Sequence, residues 1–181
     1  MKNYNSGKLP YWLVALAIAT RFLPHPPNFT AVGSAALYGG RYLNGRTKYA
    51  LPIISMLVSD FFLGWHKTIA FVYAALLFNV WLGGKIANRP KWYNILGAAG
   101  AGSIVFYLVT NFGVWLVGSW YPHTLAGLIN CYVMALPFAK WTLAGDIAYT
   151  IVLFGATESI FYYYHEQQAL TKGGIIWPVK S

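Results

Sequence analysis

Long apolar stretches that carry almost no charge run through most of this chain. Only 9% of its 181 residues are charged and 57% are hydrophobic, whereas soluble domains carry about 25% charged residues. Because so few charges cannot cover a surface that faces water, a lipid bilayer is the natural environment of the chain. We therefore predict an all-α fold, a polytopic bundle of membrane helices that forms one domain over residues 11–164.

Prolines, glycines and basic turns divide the apolar sequence into segments. Six segments are read as transmembrane helices. A further segment, Thr124–Phe138, is apolar but short, since a span needs about 20 residues. We expect it to form a re-entrant or interfacial helix before the last span. The six predicted spans are Tyr11–Leu23, Thr30–Leu43, Tyr49–Trp65, Thr68–Ala87, Tyr93–Val117 and Thr142–Tyr164.

Lysine and arginine are divided unequally between the two ends of these spans. With a cytoplasmic N-terminus, ten of the 13 face the cytoplasm and three face the other side, which the positive-inside rule favours. This predicts a multi-pass protein of the inner (plasma) membrane, with residues 1–10 and 165–181 both cytoplasmic. Seven spans, with Lys140 inside and the tail outside, are the alternative. The basic charge is then topological and indicates no nucleic-acid partner. The cytoplasmic ten are Lys2, Lys8, Arg41, Arg46, Lys48, Lys85, Arg89, Lys91, Lys172 and Lys180; the others are Arg21, Lys67 and Lys140.

The stretch "RFLPHPPNFT" (residues 21–30) interrupts the apolar sequence between two helices of only about 13 and 14 residues, against about 20 for a span. Their junction is therefore predicted to lie below the outer surface, lining a wet or protein-walled cavity. Asn28 or Thr30 would cap the second helix, whose start would present partial positive charge to the cavity. The alternative is a plain proline-rich outer turn from which Arg21 reaches water.

Polar residues on the outer side of the predicted spans point to a binding site, because charges in lipid need partners or water and usually face the bundle interior. Such a site would suit a small polar or anionic molecule, with Arg21 and free helix amides as donors and Trp115 as a stacking wall. The predicted ligand-binding residues are Arg21, His25, Asn28, Asp60, Asn111, Trp115 and Asp146.

Structural roles are the alternatives for several of these residues. Arg21 and Asp60 would equally form an ion pair that joins two helices. Asp146, at the predicted start of the last helix, is favoured to interact with the dipole of that helix. Asn111 and Trp115 share a helix face and would also suit an interhelical hydrogen bond and an aromatic belt.

No motif in the sequence indicates catalysis or a metal centre. A metal site would require His25, His66, His123 and Cys131 to converge, and their spacing matches no local ligand motif. Neither a nucleophile–base motif, nor a phosphate loop, nor a dinucleotide fingerprint is present. We therefore expect a protein that is not an enzyme and has no metal site, with its cofactors unknown.

Small residues recur at helical spacing. Ala15 and Ala19 are four apart on one face of the first helix, and "GSAALYGG" (33–40) and "GAAGAG" (97–102) are similar. Such faces let helices approach closely. Most are expected to pack within the bundle, and an exposed one would dock a partner membrane subunit.

Taken together, "RFLPHPPNFTAVGSAALYGG", "LVSDFFLG", "TNFGVW", "YPHTLAGLINCYVMALPF" and "GDIAY" resemble a family of small uncharacterised bacterial membrane proteins related to the S-components of energy-coupling factor transporters. The resemblance implies six helices, cytoplasmic termini and an outward-facing pocket for a vitamin or metal ion. Ala15 and Ala19 resemble the alanine pair with which S-components dock on a transmembrane coupling subunit that works with an ATPase module. "ALPFAKWTLAGDIAY" resembles their approach to the last helix. The chain has neither a vitamin-specific motif nor the histidine-rich N-terminus of the nickel and cobalt types, which leaves the substrate open.

Three functions remain after these observations. The first is an S-component-like subunit that binds a small molecule, such as a vitamin or metal-related nutrient, for uptake. The second is a structural or accessory subunit of a larger membrane complex, with a filled bundle interior. The third, a membrane enzyme or a metal- or haem-binding protein, would need converging histidines.

Overall fold

A computed structural model of the chain describes residues 8–86 and 91–171. Within these ranges the protein contains α-helices and one short 3-10 helix, with no strand. The all-α prediction is therefore confirmed. The helices are α1 (Leu9–Ala19, continued by the 3-10 turn Thr20–Phe22), α2 (Val32–Tyr42), α3 (Thr47–Leu63), α4 (Ile69–Lys85), α5 (Trp92–Val117) and α6 (Leu125–Thr171).

If the 3-10 turn is counted with α1, the first five helices begin and end within two residues of the predicted spans, but the last does not. Thr124–Phe138 is not a separate helix, because it continues without a break into the 47-residue helix α6. Pro137 lies inside this helix. The next seven residues contain no glycine and no second proline that would favour ending the helix there. The predicted C-terminal tail is also helical up to Thr171; residues 1–7 and 172–181 lie outside the described residues.

The first part of α6 crosses α5 obliquely. The thiol of Cys131 donates to the carbonyl oxygen of Asn111 at 3.4 Å, and the hydroxyl of Ser103 donates to the carboxylate of Asp146 at 2.6 Å. Between these contacts α6 advances about 22 Å and α5 only about 12 Å, at a rise of about 1.5 Å per residue. The two helices therefore do not run side by side along this length, and Pro137 lies within it.

Helix α2 is the central helix of the described bundle and packs against each of the other five. Eight of its 11 residues are buried. Two glycines allow its closest approach, to α4: a Cβ at Gly40 would collide with the carbonyl group of Val80, and one at Gly83 with that of Leu37. The prediction that "GSAALYGG" packs within the bundle is confirmed.

Successive connections lie at opposite ends of the bundle. Arg21, just after α1, contacts Asp60 near the end of α3, whereas Lys48, in the first turn of α3, lies against Gly84 near the end of α4. We call the end with connections 23–31, 64–68 and 118–124 the upper end, and the opposite end the lower end.

Large apolar side chains cover much of the outer surface. Trp12, Phe61, Phe62 and Leu125 are each at least 70% exposed. Helix α5 and the Leu125–Ile160 part of α6 are long and apolar enough to span a membrane, and α1 with its 3-10 turn and α4 are shorter apolar helices. Two of the helices could thus cross a bilayer.

Candidate binding cavity

A cavity of about 430 Å³ opens at the upper end of the bundle, above the start of α2. Its volume falls within the range of about 300–1,000 Å³ that is typical of small-molecule sites, and its lining combines apolar walls with a few polar groups, as such sites do. The polar lining residues are Arg21, His25, Asn28, Thr30, His66, Thr142 and Asp146; Val32, Gly33, Met56, Leu63, Val72 and Phe106 complete the walls.

The cavity lies above the start of α2, which is far below the upper end of α5. The carboxylate of Asp146 accepts hydrogen bonds from the hydroxyl of Ser103 and from the backbone N–H of Ser34, in the first turn of α2. Ser103 is 14 residues before the end of α5 at Val117, which corresponds to about 21 Å. The predicted recess of the junction between the first two helices is therefore present, measured against α5.

The connection between α1 and α2 is held down on α6. The ring of Phe29 lies 6.3 Å from that of Trp141 and 5.7 Å from that of Tyr149, between centroids. The backbone N–H of Phe29 donates to the carbonyl oxygen of Pro26 at 3.0 Å. Asn28 has a φ of +65°, a left-handed conformation that asparagine tolerates better than most residues. These contacts place His25 and Asn28 on the cavity wall.

Arg21 and Asp60 form an ion pair beside the cavity. Nη1 of Arg21 donates to Oδ1 of Asp60 at 2.8 Å and to the hydroxyl of Ser59 at 2.5 Å. The hydroxyl of Tyr73 donates to Oδ2 of Asp60 at 2.9 Å. The side chain of Asp60 is only 1% exposed, whereas that of Arg21 is 17% exposed and reaches the cavity. The structure thus contains the ion pair that the sequence suggested, and it places Asp60 behind Arg21 rather than on the cavity wall.

Asp146 lies at the cavity floor, in the interior of α6 rather than at the start of a helix. The expected interaction with the dipole of its own helix is therefore wrong, since α6 begins at Leu125. Asp146 instead meets the N-terminus of α2, and it comes close because Gly33 has no side chain: a Cβ there would collide with the carboxylate. A carboxylate at this position is stabilised by the partial positive charge of the helix end.

The predicted cap of α2 by Asn28 or Thr30 is also wrong. The N-cap residue is Ala31, and it makes no side-chain cap hydrogen bond. Asp146 supplies an acceptor from another helix instead. The sequence had suggested that the first turn of α2 is free to receive an anion. In the structure Asp146 occupies this position.

Asn111 and Trp115 do not reach the cavity. The amide of Asn111 donates to the carbonyl oxygen of Tyr107 at 2.8 Å, within α5. The indole N–H of Trp115 donates to the carbonyl oxygen of Pro122 at 3.0 Å. Both residues lie on the side of α5 that meets the start of α6, so the structure assigns them to helix packing. Phe106 is the aromatic residue that lines the cavity.

The four side chains named above as possible metal ligands do not converge. His25 and His66 line the cavity, whereas His123 packs on the ring of Trp115 at 5.5 Å between centroids. Cys131 is buried against α5. Among the described residues, no three His, Cys, Asp or Glu side chains are grouped as metal ligands.

Ala15 and Ala19, the predicted docking pair, lie on a side of α1 that the bundle only partly covers. Ala19 is exposed and Ala15 is partly exposed. Their neighbours Trp12 and Leu16 are 70% and 68% exposed. This face is therefore accessible from outside the described bundle.

Sequence reasoning missed the residues that hold the two carboxylates in place, namely Ser34, Ser103 and Tyr73. Each lies in an apolar or small-residue run with no motif around it. The nearest signal was the pattern of small residues, because Ser34 follows Gly33 and Ser103 follows Gly102.

Comparison with the models of known protein families identifies the family to which the chain belongs. The model of a family of unknown function (DUF6580) matches residues 2–170. No curated protein and no solved structure matches the chain significantly.

Proposed function

We propose that this chain, which belongs to the family of unknown function DUF6580, is a membrane protein that binds a small molecule in the upper cavity for uptake. In this proposal it acts as the S-components of energy-coupling factor transporters do, and a transmembrane coupling subunit with an ATPase module would complete the transporter. The observation that carries the proposal is the recessed cavity, with Arg21 near its mouth and Asp146 at its floor.

The apolar outer surface supports a position within the bilayer. Highly exposed tryptophan, phenylalanine and leucine side chains would be costly in water, since each buries apolar area worth about 25 cal/mol per Å² when it is covered. We propose that all six helices cross the membrane, with α1 and α2 sharing the thickness through their recessed junction.

The distribution of charge supports an outward-facing cavity. Around the described lower end the chain carries Lys8, Arg41, Arg46, Lys48, Lys85 and Lys91. Near the upper end it carries Arg21 and Lys67, and Lys140 lies within α6. The positive-inside rule then makes the lower end cytoplasmic. The cavity would open to the outside, where a substrate-capturing subunit meets its substrate.

Small molecules that co-purify with the full-length protein test this function. We expect mass spectrometry of the protein, extracted gently from cells, to detect a compound that is retained by the wild type and lost from Thr142→Trp. The bulky ring would fill the cavity that Thr142 lines.

Ala144→Trp is the matched control, because Ala144 is exposed on the same helix and does not line the cavity. It should retain the compound. A compound that neither substitution affects, or no retained compound in any of the three proteins, would contradict binding in this cavity.

The accessible face of α1 favours a second candidate, an accessory subunit of a larger membrane complex. Ala15 and Ala19, beside the exposed Trp12 and Leu16, would let a partner helix approach closely. Ala19→Trp should then release co-purifying membrane subunits while leaving the cavity compound bound. Loss of the compound alone would contradict a docking role for this face.

A further inference from the structure

We infer that the cavity floor binds a cationic ammonium group of the substrate, with Asp146 as its counter-ion. The inference rests on the proposed function, because it names the class of molecule that the same cavity would take: an organic amine with an apolar body.

The charges around the cavity leave Asp146 without a counter-ion. Arg21 and Asp60 neutralise one another at 2.8 Å, and the second oxygen of Asp60 accepts from Tyr73. His25 and His66 are exposed to water. Asp146, in contrast, is only 4% exposed, and no ion pair to it is seen in the described part of the chain. The floor of the cavity therefore holds a buried carboxyl group with no cationic partner in the described part of the chain.

The hydrogen bonds to Asp146 do not take the place of a counter-ion. Ser103 and the backbone N–H of Ser34 donate to it, while an ionised carboxylate can accept about four hydrogen bonds. The N-terminus of α2 contributes the equivalent of roughly half a positive charge. Because a buried charge without a full counter-charge is costly, a cationic ligand that reaches Asp146 gains both an ion pair and unused acceptor positions.

The shape and walls of the cavity favour an organic cation over a bare metal ion. A volume of about 430 Å³ is large enough for a small organic molecule. Val32, Met56, Val72 and Phe106 line it, and these side chains contact an apolar body rather than the hydration shell of an ion. An anionic ligand would meet the carboxylate of Asp146 at the floor and would be repelled.

Three probes with one phenyl ring and different end groups test the inference: 2-phenylethylammonium, 2-phenylethanol and 3-phenylpropionate. We expect titration calorimetry on the full chain in lipid nanodiscs to give at least tenfold tighter binding of the ammonium than of the alcohol, with the propionate weakest. Asp146→Asn should weaken ammonium binding at least tenfold and alcohol binding much less, since asparagine keeps an acceptor for Ser103 and for the alcohol but removes the charge.

A second variant decides the question if Asp146→Asn does not fold. Thr142→Lys places an ammonium one helical turn from Asp146, within reach of its carboxylate, and should abolish ammonium binding while leaving the contacts of Asp146 in place. Thr142→Met, which is similar in size to the lysine variant but uncharged, is the control and should bind the ammonium much more tightly than Thr142→Lys does.

The outcomes separate this inference from the proposed function. Equal affinity for ammonium and alcohol, or ammonium binding unchanged by Thr142→Lys, would overturn the inference. If the alcohol still binds and Thr142→Trp abolishes that binding, the cavity remains a binding site and the proposed function stands. Absence of any probe binding sensitive to Thr142→Trp, together with no retained cellular compound, would count against both.

Discussion

Asp60 and Asp146 are two buried carboxylates with different partners. Asp60 has a cation and a phenol hydroxyl, Arg21 and Tyr73, and its charge is satisfied within the protein. Asp146 has two hydrogen-bond donors and a helix end, but no cation among the described residues. At the residue scale, we therefore assign the first carboxylate to stability and propose that the second serves recognition.

Separate replacement of the two ion-pair residues should have unequal effects. Arg21→Met leaves the buried carboxylate of Asp60 without its cation and should cost about 3–5 kcal/mol in the free energy of unfolding. Asp60→Leu should cost less, because Arg21 is 17% exposed and water can reach it. The double variant should be close to the wild type, since removing a whole buried pair is often neutral.

Denaturant titration of the purified protein in one detergent measures these differences. The control is Arg46→Met, at an exposed arginine, which should change the free energy of unfolding by less than about 0.5 kcal/mol. A double variant as unstable as Arg21→Met would show that the pair does not account for the effect.

The bounds of five helices follow from the sequence, because prolines, glycines and basic turns mark their ends in an otherwise apolar chain. The continuity of α6 does not follow from the sequence. A proline removes one backbone hydrogen bond and still allows a helix to continue with a bend, so tertiary packing determines whether the helix ends at Pro137. At the element scale, two helices define the cavity. Helix α2 begins deep below the upper end, and α6 carries Asp146 at the cavity floor.

A distance measurement distinguishes a continuous α6 from a re-entrant segment. Spin labels at Ile129 and Val152, both exposed, are 23 residues apart and should be about 30–35 Å apart in one helix at about 1.5 Å per residue. Double electron–electron resonance measures this separation in nanodiscs. A main distance below about 20 Å would mean that the segment around Phe138 folds back, contrary to the structure.

At the scale of the whole molecule, the sequence places polar residues on one side but does not show which of them meet. Arg21, His25 and Asn28 were predicted at the cavity and line it, because the broken segment that carries them lies at its mouth. Asn111 and Trp115 lie on that side as well, but they face α6. Counting residues along the chain predicts how deep a residue lies, and it does not predict the direction in which its helix face points. The bond of Ser103 to Asp146 joins residues 43 positions apart and depends on packing alone.

The central proposal is that the cavity at the upper end opens to the outside of the membrane. Thiol labelling of intact cells tests it most directly, in a background in which the buried Cys131 is replaced by alanine. A membrane-impermeant maleimide added outside should label Thr142→Cys, which lies in the cavity. It should not label Ala144→Cys, which would face lipid, or Asn44→Cys, which lies in the connection at the lower end. Labelling of Asn44→Cys from outside, or no labelling of Thr142→Cys under conditions that label it in the denatured protein, would contradict the account.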